Sequence, residues 1–143
     1  MTLTTTAPIK QALVATLRAN TTFRAAVSGI HEGIAPRKVD YPFATYDFLP
    51  TQYNYDSSGL MFLTAVDVFI FSRNSVEANN LDGLVFTILQ DSDLLSVLGS
   101  GVTEQTTLIC HRVADISSDD VDEEGKKVYQ VGGTYAIWTD QPL

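Results

Sequence analysis

Apolar residues first recur at helical spacing, then switch to the alternation of strands, and switch back once. Between residues 7 and 19 Ile9, Leu13 and Leu17 repeat every four positions, which predicts a first helix capped by Thr6 with Pro8 in its first turn. Asn20 ends that helix. Thr21 or Thr22 then serves as cap for a short second segment, FRAAVSG, which Gly29 stops. The following IHEGIAPRKVDYP is rich in Gly and Pro and reads as a partly extended loop.

From Pro42 the pattern is that of strands. FATYDFL, residues 43–49, is aromatic and β-branched and ends at Pro50. The polar link TQYNYDSSG leads into a long strand over about Leu60 to Ser72. One of its faces carries Phe62, Thr64, Val66, Val68 and Ile70, the other Ala65, Asp67, Phe69 and Phe71. Apolar groups on both faces predict a central strand that helices cover on one side only, so the other side needs a second cover. Asn74 and Glu77 have the spacing of a reciprocal cap, and Leu81, Leu84, Val85, Ile88 and Leu89 then form the cleanest helical stripe in the chain, over Ser75 to Gln90. SDLLSVLGSG adds one more turn, and two strands, Gln105 to Ala114 and Val128 to Trp138, form a last hairpin. The order α-α-β-β-α-β-β predicts an α+β fold: a four-stranded antiparallel sheet of two hairpins with the helices packed on one face.

Length and composition fit one domain over residues 1–143. The chain is 45% hydrophobic and 18% charged, as a globular core requires. Its single cysteine, Cys110, allows no internal disulfide and no zinc spacing, so folding rests on packing. No basic-then-apolar leader and no bilayer-length apolar run occur, so no membrane partner is expected. A formal charge of −8 argues against a nucleic-acid-binding surface, because phosphate contacts need clustered Lys and Arg.

Five of the 17 acidic residues, offset by two lysines, sit in ISSDDVDEEGKK, residues 116–127, where Asp120, Asp122, Glu124 and Gly125 match the opening of a calcium loop. The match stops there. The twelfth position, which needs a bidentate carboxylate, is Val131, and the flanks read as strands rather than helices. A solvated hairpin tip is the expectation, with no metal and no cofactor. Cys110 and His111 are neighbours on a strand and point to opposite faces, so they cannot share a proton. His31 lies in a loop and is expected to be exposed, and Gly132-Gly133 is expected to mark a bulge or a close-packing point. No nucleophile, phosphate-binding or dinucleotide fingerprint occurs, so no catalytic group can be named. Tyr41, Phe43, Tyr46, Phe48, Tyr53 and Tyr55 form an aromatic cluster. Within it, Tyr53 and Tyr55 on the polar link are the candidates for an interface.

The order of these pieces resembles one known family. ALVATLRANTTFRAAVSG followed by IHEGIAPRKVDYPFATYDF, the long strand, the helix SVEANNLDGLVFTILQ and a last strand ending in Trp138 look like the tail terminator, or tail completion, proteins of long-tailed bacteriophages. The resemblance spans nearly the whole chain and rests on element order and short phrases, not on a catalytic motif; the acidic tip is its least typical part. It implies a structural virion protein and not an enzyme. Copies would form a ring, six in the family, on the last ring of tail tube protein at the head-proximal end of the tail. That ring ends tube growth and presents the docking surface for the head-closure connector, and double-stranded DNA passes through its channel without specific binding. Assembly would take place in the host cytoplasm.

Two residue-level expectations follow. Asp119, Asp120, Asp122, Glu123 and Glu124 would line or rim the channel, where carboxylates repel phosphates and let the duplex slide, unless that loop faces outer solvent. Tyr53, Tyr55, Phe69 and Phe71 would meet a neighbouring subunit, the tube or the connector. A head-closure or adaptor protein of the same connector is the alternative, and a small-ligand-binding α+β domain a more distant one.

Overall fold

Leu13 and Leu17 have no exposed surface and Ile9 almost none, so the four-residue repeat read from the sequence is the buried stripe of a real helix. A computed structural model describes residues 6–36, 38–49, 52–56, 59–90 and 106–142. Helix α1 runs over Thr6–Ala19 and α2 over Thr21–Ala26. The cap of α2 is Asn20, whose Oδ1 accepts from the Phe23 amide at 2.9 Å, so Thr21 and Thr22 lie inside the helix rather than capping it. Helix α3, Ser75–Leu89, buries Ala78, Leu81, Val85 and Leu89 along one side. Its capping arrangement differs from the reciprocal pair in one respect. Asn74 Oδ1 accepts from the Glu77 amide at 3.0 Å, but Ser72 Oγ stands between the other two partners, accepting from the Asn74 amide and donating to Glu77 Oε1. The expected extra turn over residues 91–100 lies outside the described residues.

Among the described residues six strands form one sheet: β1 (Ile30–Glu32), β2 (Phe43–Phe48), β3 (Gln52–Asp56), β4 (Gly59–Ser72), β5 (Thr106–Val121) and β6 (Lys127–Pro142). The order is β1-β2-β4-β6-β5, with β3 pairing β4 beyond the end of β2. The mixed α+β class, the two hairpins and the central place of β4 follow the sequence reading; the strand count does not. Two segments read as loops are strands. IHE pairs in parallel with β2, from Ile30 opposite Ala44 to Glu32 opposite Tyr46, before Gly33 turns the chain away at φ +70°. The polar link pairs with β4 from Gln52 opposite Leu63 to Asp56 opposite Gly59. IHE is too short to show an alternation, and in QYNYD only Tyr53 and Tyr55 alternate with polar residues; each segment is held by ladder bonds to a stronger neighbour.

The second hairpin is also longer than the hydrophobic pattern suggested. β5 continues through Asp115, Asp119 and Asp120 because it is an edge strand, where outward polar side chains remain hydrated while the backbone still pairs with β6. Helices α1, α2 and α3 share one core with Ala44, Val66, Val68, Ile70, Cys110, Val131, Tyr135 and Ile137. Truncating one of these large side chains to Ala costs about 2–5 kcal/mol in comparable cores. Among the described residues no helix is long and apolar enough to cross a membrane.

Candidate functional site: an open sheet face beside an acidic hairpin

The two faces of β4 meet different environments. Thr64, Val66, Val68, Ile70 and Ser72 are buried beneath the helices, whereas Leu63, Ala65, Asp67, Phe69 and Phe71 are only half-buried. Register places Thr45 and Asp47 of β2, and Gln130, Thr134, Ala136 and Trp138 of β6, on this second face. Phe71 stacks on Phe43 with ring centres 4.9 Å apart, and Phe43 in turn touches Tyr41 at 5.2 Å and His31 at 6.2 Å. Phe69 lies over Gly132, where a Cβ would overlap the Val68 carbonyl and approach the Phe69 Cα. The glycine pair is therefore a close-packing point. Thr134 Oγ1 donates to Asp67 Oδ1 at 2.6 Å, and Asp47 of β2 stands opposite Asp67 on the same face.

The acidic stretch divides into three kinds of residue. Asp119 and Asp120 do not belong to a loop; they stand on strand β5, opposite Tyr129 and Val128. Lys127 Nζ lies 3.0 Å from Asp119, and that hydrogen bond raises the lysine's pKa. Asp122 is structural: its Oδ1 accepts from the Glu124 and Lys126 amides, each at 2.9 Å, and its Oδ2 meets Arg73 Nη2 at 2.6 Å. The Lys126 amide and then Arg73 hold this carboxyl below the usual aspartate range. Gly125, at φ +78°, closes the turn by donating to the Asp122 carbonyl. Glu123 and Glu124 remain as exposed carboxylates of the tip. Among the described residues no three of His, Cys, Asp and Glu come together as a metal site would need.

On the helix side of β5, Arg112 lies across Gly133. A Cβ there would overlap the guanidinium and the Ala114 carbonyl. Arg112 forms a two-pronged ion pair with Asp82 of α3, and its Nη1 also reaches Asp115 at 3.3 Å. Burial is the largest single influence and opposes the guanidinium's charge, but the Asp82 bond together with the fields of Tyr135, Asp82 and Asp115 raises the pKa. The guanidinium sits 5.2 Å from the Tyr135 ring centre and 5.7 Å from that of Phe86. Burial pushes the Tyr135 phenol up. Nothing in the sequence pattern singled out this cluster, since its members are spread over two strands and a helix; an arginine in an otherwise acidic, apolar hairpin was the available signal.

Cys110 is buried on the helix side, and His111 is half-buried on the opposite side. His31 is not an exposed loop residue: it lies on β1 with Nε2 buried. Tyr53 and Tyr55 are on β3, opposite Phe62 and Leu60 of β4, and their backbone places them beside the long strand rather than on a free link. Phe69 and Phe71 share the open face.

No protein-family model matches the chain, and no curated protein matches it. Among solved structures, a chain described as from the virion of a native gene transfer agent particle superposes with a TM-score of 0.68. The two share 12% identity over 92% of this chain and 94% of that one. At that identity the likeness is one of fold, and it extends over the whole architecture.

Proposed function

We propose that this protein is a structural part of a phage-like virion, a tail terminator. Its copies form a ring, six in the family it resembles, that caps the tail tube, ends tube growth and docks the head-closure connector. The observation that supports this best is the pairing of an end-to-end fold match to a virion chain with an apolar sheet face that a single copy leaves open. Half-buried Leu63, Ala65, Phe69 and Phe71 beside buried Phe43, Thr45 and Ala136 form a surface that another protein would complete. Among the described residues no set of nucleophile, base and metal ligands competes with that reading.

In this account Phe69 and Phe71 on the open face, with Tyr53 and Tyr55 at the β3 end, meet the tube or the connector. Glu123 and Glu124, at the tip of the β5–β6 hairpin, rim the passage for double-stranded DNA and repel its phosphates. Asp122 holds the shape of that tip, and Asp119 and Asp120 lie along the edge behind it. The protein belongs to the virion at the head-proximal end of the tail, after assembly in the host cytoplasm. The test is tube growth in vitro. Added to polymerising tail tube protein, the chain should shorten the tubes in proportion to its concentration; an unchanged length distribution refutes the proposal.

A further inference from the structure

We infer that copies of this chain join head to tail by continuing one sheet, the β1 edge of one copy lying against the β5 edge of the next. The inference rests on the ring reading and deepens it by naming the surfaces. Among the described residues the sheet is open, with β1 and β5 at the two ends of its strand order and β3 flanking β4 beyond β2. β5 is 16 residues long, and an edge of that length presents unpaired backbone groups to any matching strand.

Level and direction both fit. Reading across the ladders, His31 lies opposite Thr45, Thr45 opposite Phe69, Phe69 opposite Gly132, and Gly132 opposite Ile116. β1 therefore stands at the same height as residues 115–117 of β5, so a next copy needs no shift along the strands. β1 is parallel to β2, and each later neighbour in the order is antiparallel, so β1 of a copy that continues the sheet runs antiparallel to β5. Two exposed apolar side chains flank this level, one beyond the Gly33 turn and one at the β5 bulge. Ile34, just past β1, is 93% exposed, and Val113, at a β5 bulge, is 54% exposed.

Charge selects this pairing over a two-fold one. Residues 1–46 carry five basic and two acidic residues, whereas the remaining 97 carry four basic and fifteen acidic. Asp115, Asp119 and Asp120 are all exposed on β5, so a β5–β5 pair would bring two acidic edges together, which like-charge repulsion disfavours. Against β1 the balance changes. Glu32 and Asp115 come to one level, and each brings its cation: Lys10 lies 2.7 Å from Glu32 and Arg112 lies 3.3 Å from Asp115. A contact between two different surfaces of one chain propagates from copy to copy instead of stopping at a dimer, and it makes a ring when the rotation per copy closes.

The experiment is bismaleimide cross-linking of an Ile34→Cys, Val113→Cys double variant, run beside each single variant. Both positions are exposed, so the fold should tolerate the changes. The double variant should give a ladder of covalent multimers above the dimer, and each single variant should stay monomeric. Absence of the ladder, or a covalent dimer from Val113→Cys alone, would overturn the contact. A variant that caps tubes without cross-linking removes this contact and leaves the proposed function standing; a ladder from a protein that does not cap tubes does the reverse.

Discussion

Arg73, one residue beyond β4, holds Asp122 in the turn between β5 and β6 through a 2.6 Å ion pair, while its guanidinium lies 4.5 Å from the ring centre of Tyr41. The tip of the acidic hairpin is thus tied to the start of α3 and to the chain leading into β2. The remaining acceptor of Asp122 fixes the turn from within, through the Glu124 and Lys126 amides.

Asp122→Ala should free both amides, and hydrogen exchange at Glu124 and Lys126 should accelerate by about tenfold or more, as expected when local hydrogen bonds no longer limit opening. Arg73→Ala should do so less, because the internal acceptor survives. The pH dependence has a definite sign. The folded carboxyl titrates below the ordinary value of 3.8, so its contribution is fully present above that value and disappears as pH falls through the lower, folded one. Protection of these amides should therefore be unchanged from neutral pH down to the ordinary aspartate value and fall beneath it.

Gly132→Ala should destabilise the fold by roughly 1–3 kcal/mol, the usual cost of forcing extra volume into a packed site. The overlap is with the Val68 carbonyl and the Phe69 Cα, which are backbone and cannot rotate aside. Urea unfolding of the two proteins measures the difference. An unchanged midpoint would show that β4 and β6 can separate locally at no cost.

The pair between Arg112 and Asp82 is largely shielded, with side chains 11% and 13% exposed. Asp82→Ala leaves the guanidinium against Tyr135 and Phe86 with only the solvent-facing Asp115, and should cost about 3 kcal/mol. Removing both charges, as Asp82→Leu with Arg112→Met, should cost less than Asp82→Ala alone. Equilibrium unfolding of the three variants decides it.

Phe69→Ser tests the open face. Because Phe69 is only half-buried, the loss in stability should stay near 1–2 kcal/mol, within the transfer free energy of one aromatic side chain. Tube-end binding should fall by more than tenfold. Equal losses in stability and in binding would assign Phe69 to folding alone.

The parts of this fold that the sequence disclosed are those whose burial imposes a period. Ile9, Leu13 and Leu17 report α1, Leu81, Val85 and Leu89 report α3, and the two-sided alternation of residues 60–72 reports β4. Where pairing comes from a neighbour, the chain carries a weaker mark or none. Ile30 to Glu32 and Gln52 to Asp56 are strands because β2 and β4 offer them partners, and Asp119 and Asp120 stay in β5 because an edge tolerates charge. The open face could be anticipated from Phe69 and Phe71, which had no cover in the predicted layers. The Arg112–Asp82 pair could not, since it joins residues 30 positions apart through a contact that only the packed sheet and helix create.

The measurement that bears most directly on the whole account is electron microscopy of purified tail tubes mixed with this protein. The account predicts a disc at one end of each tube and none at the other, with Phe69→Ser leaving both ends bare. Tubes with two bare ends in the presence of folded wild-type protein, or protein scattered along the tube walls, would contradict it.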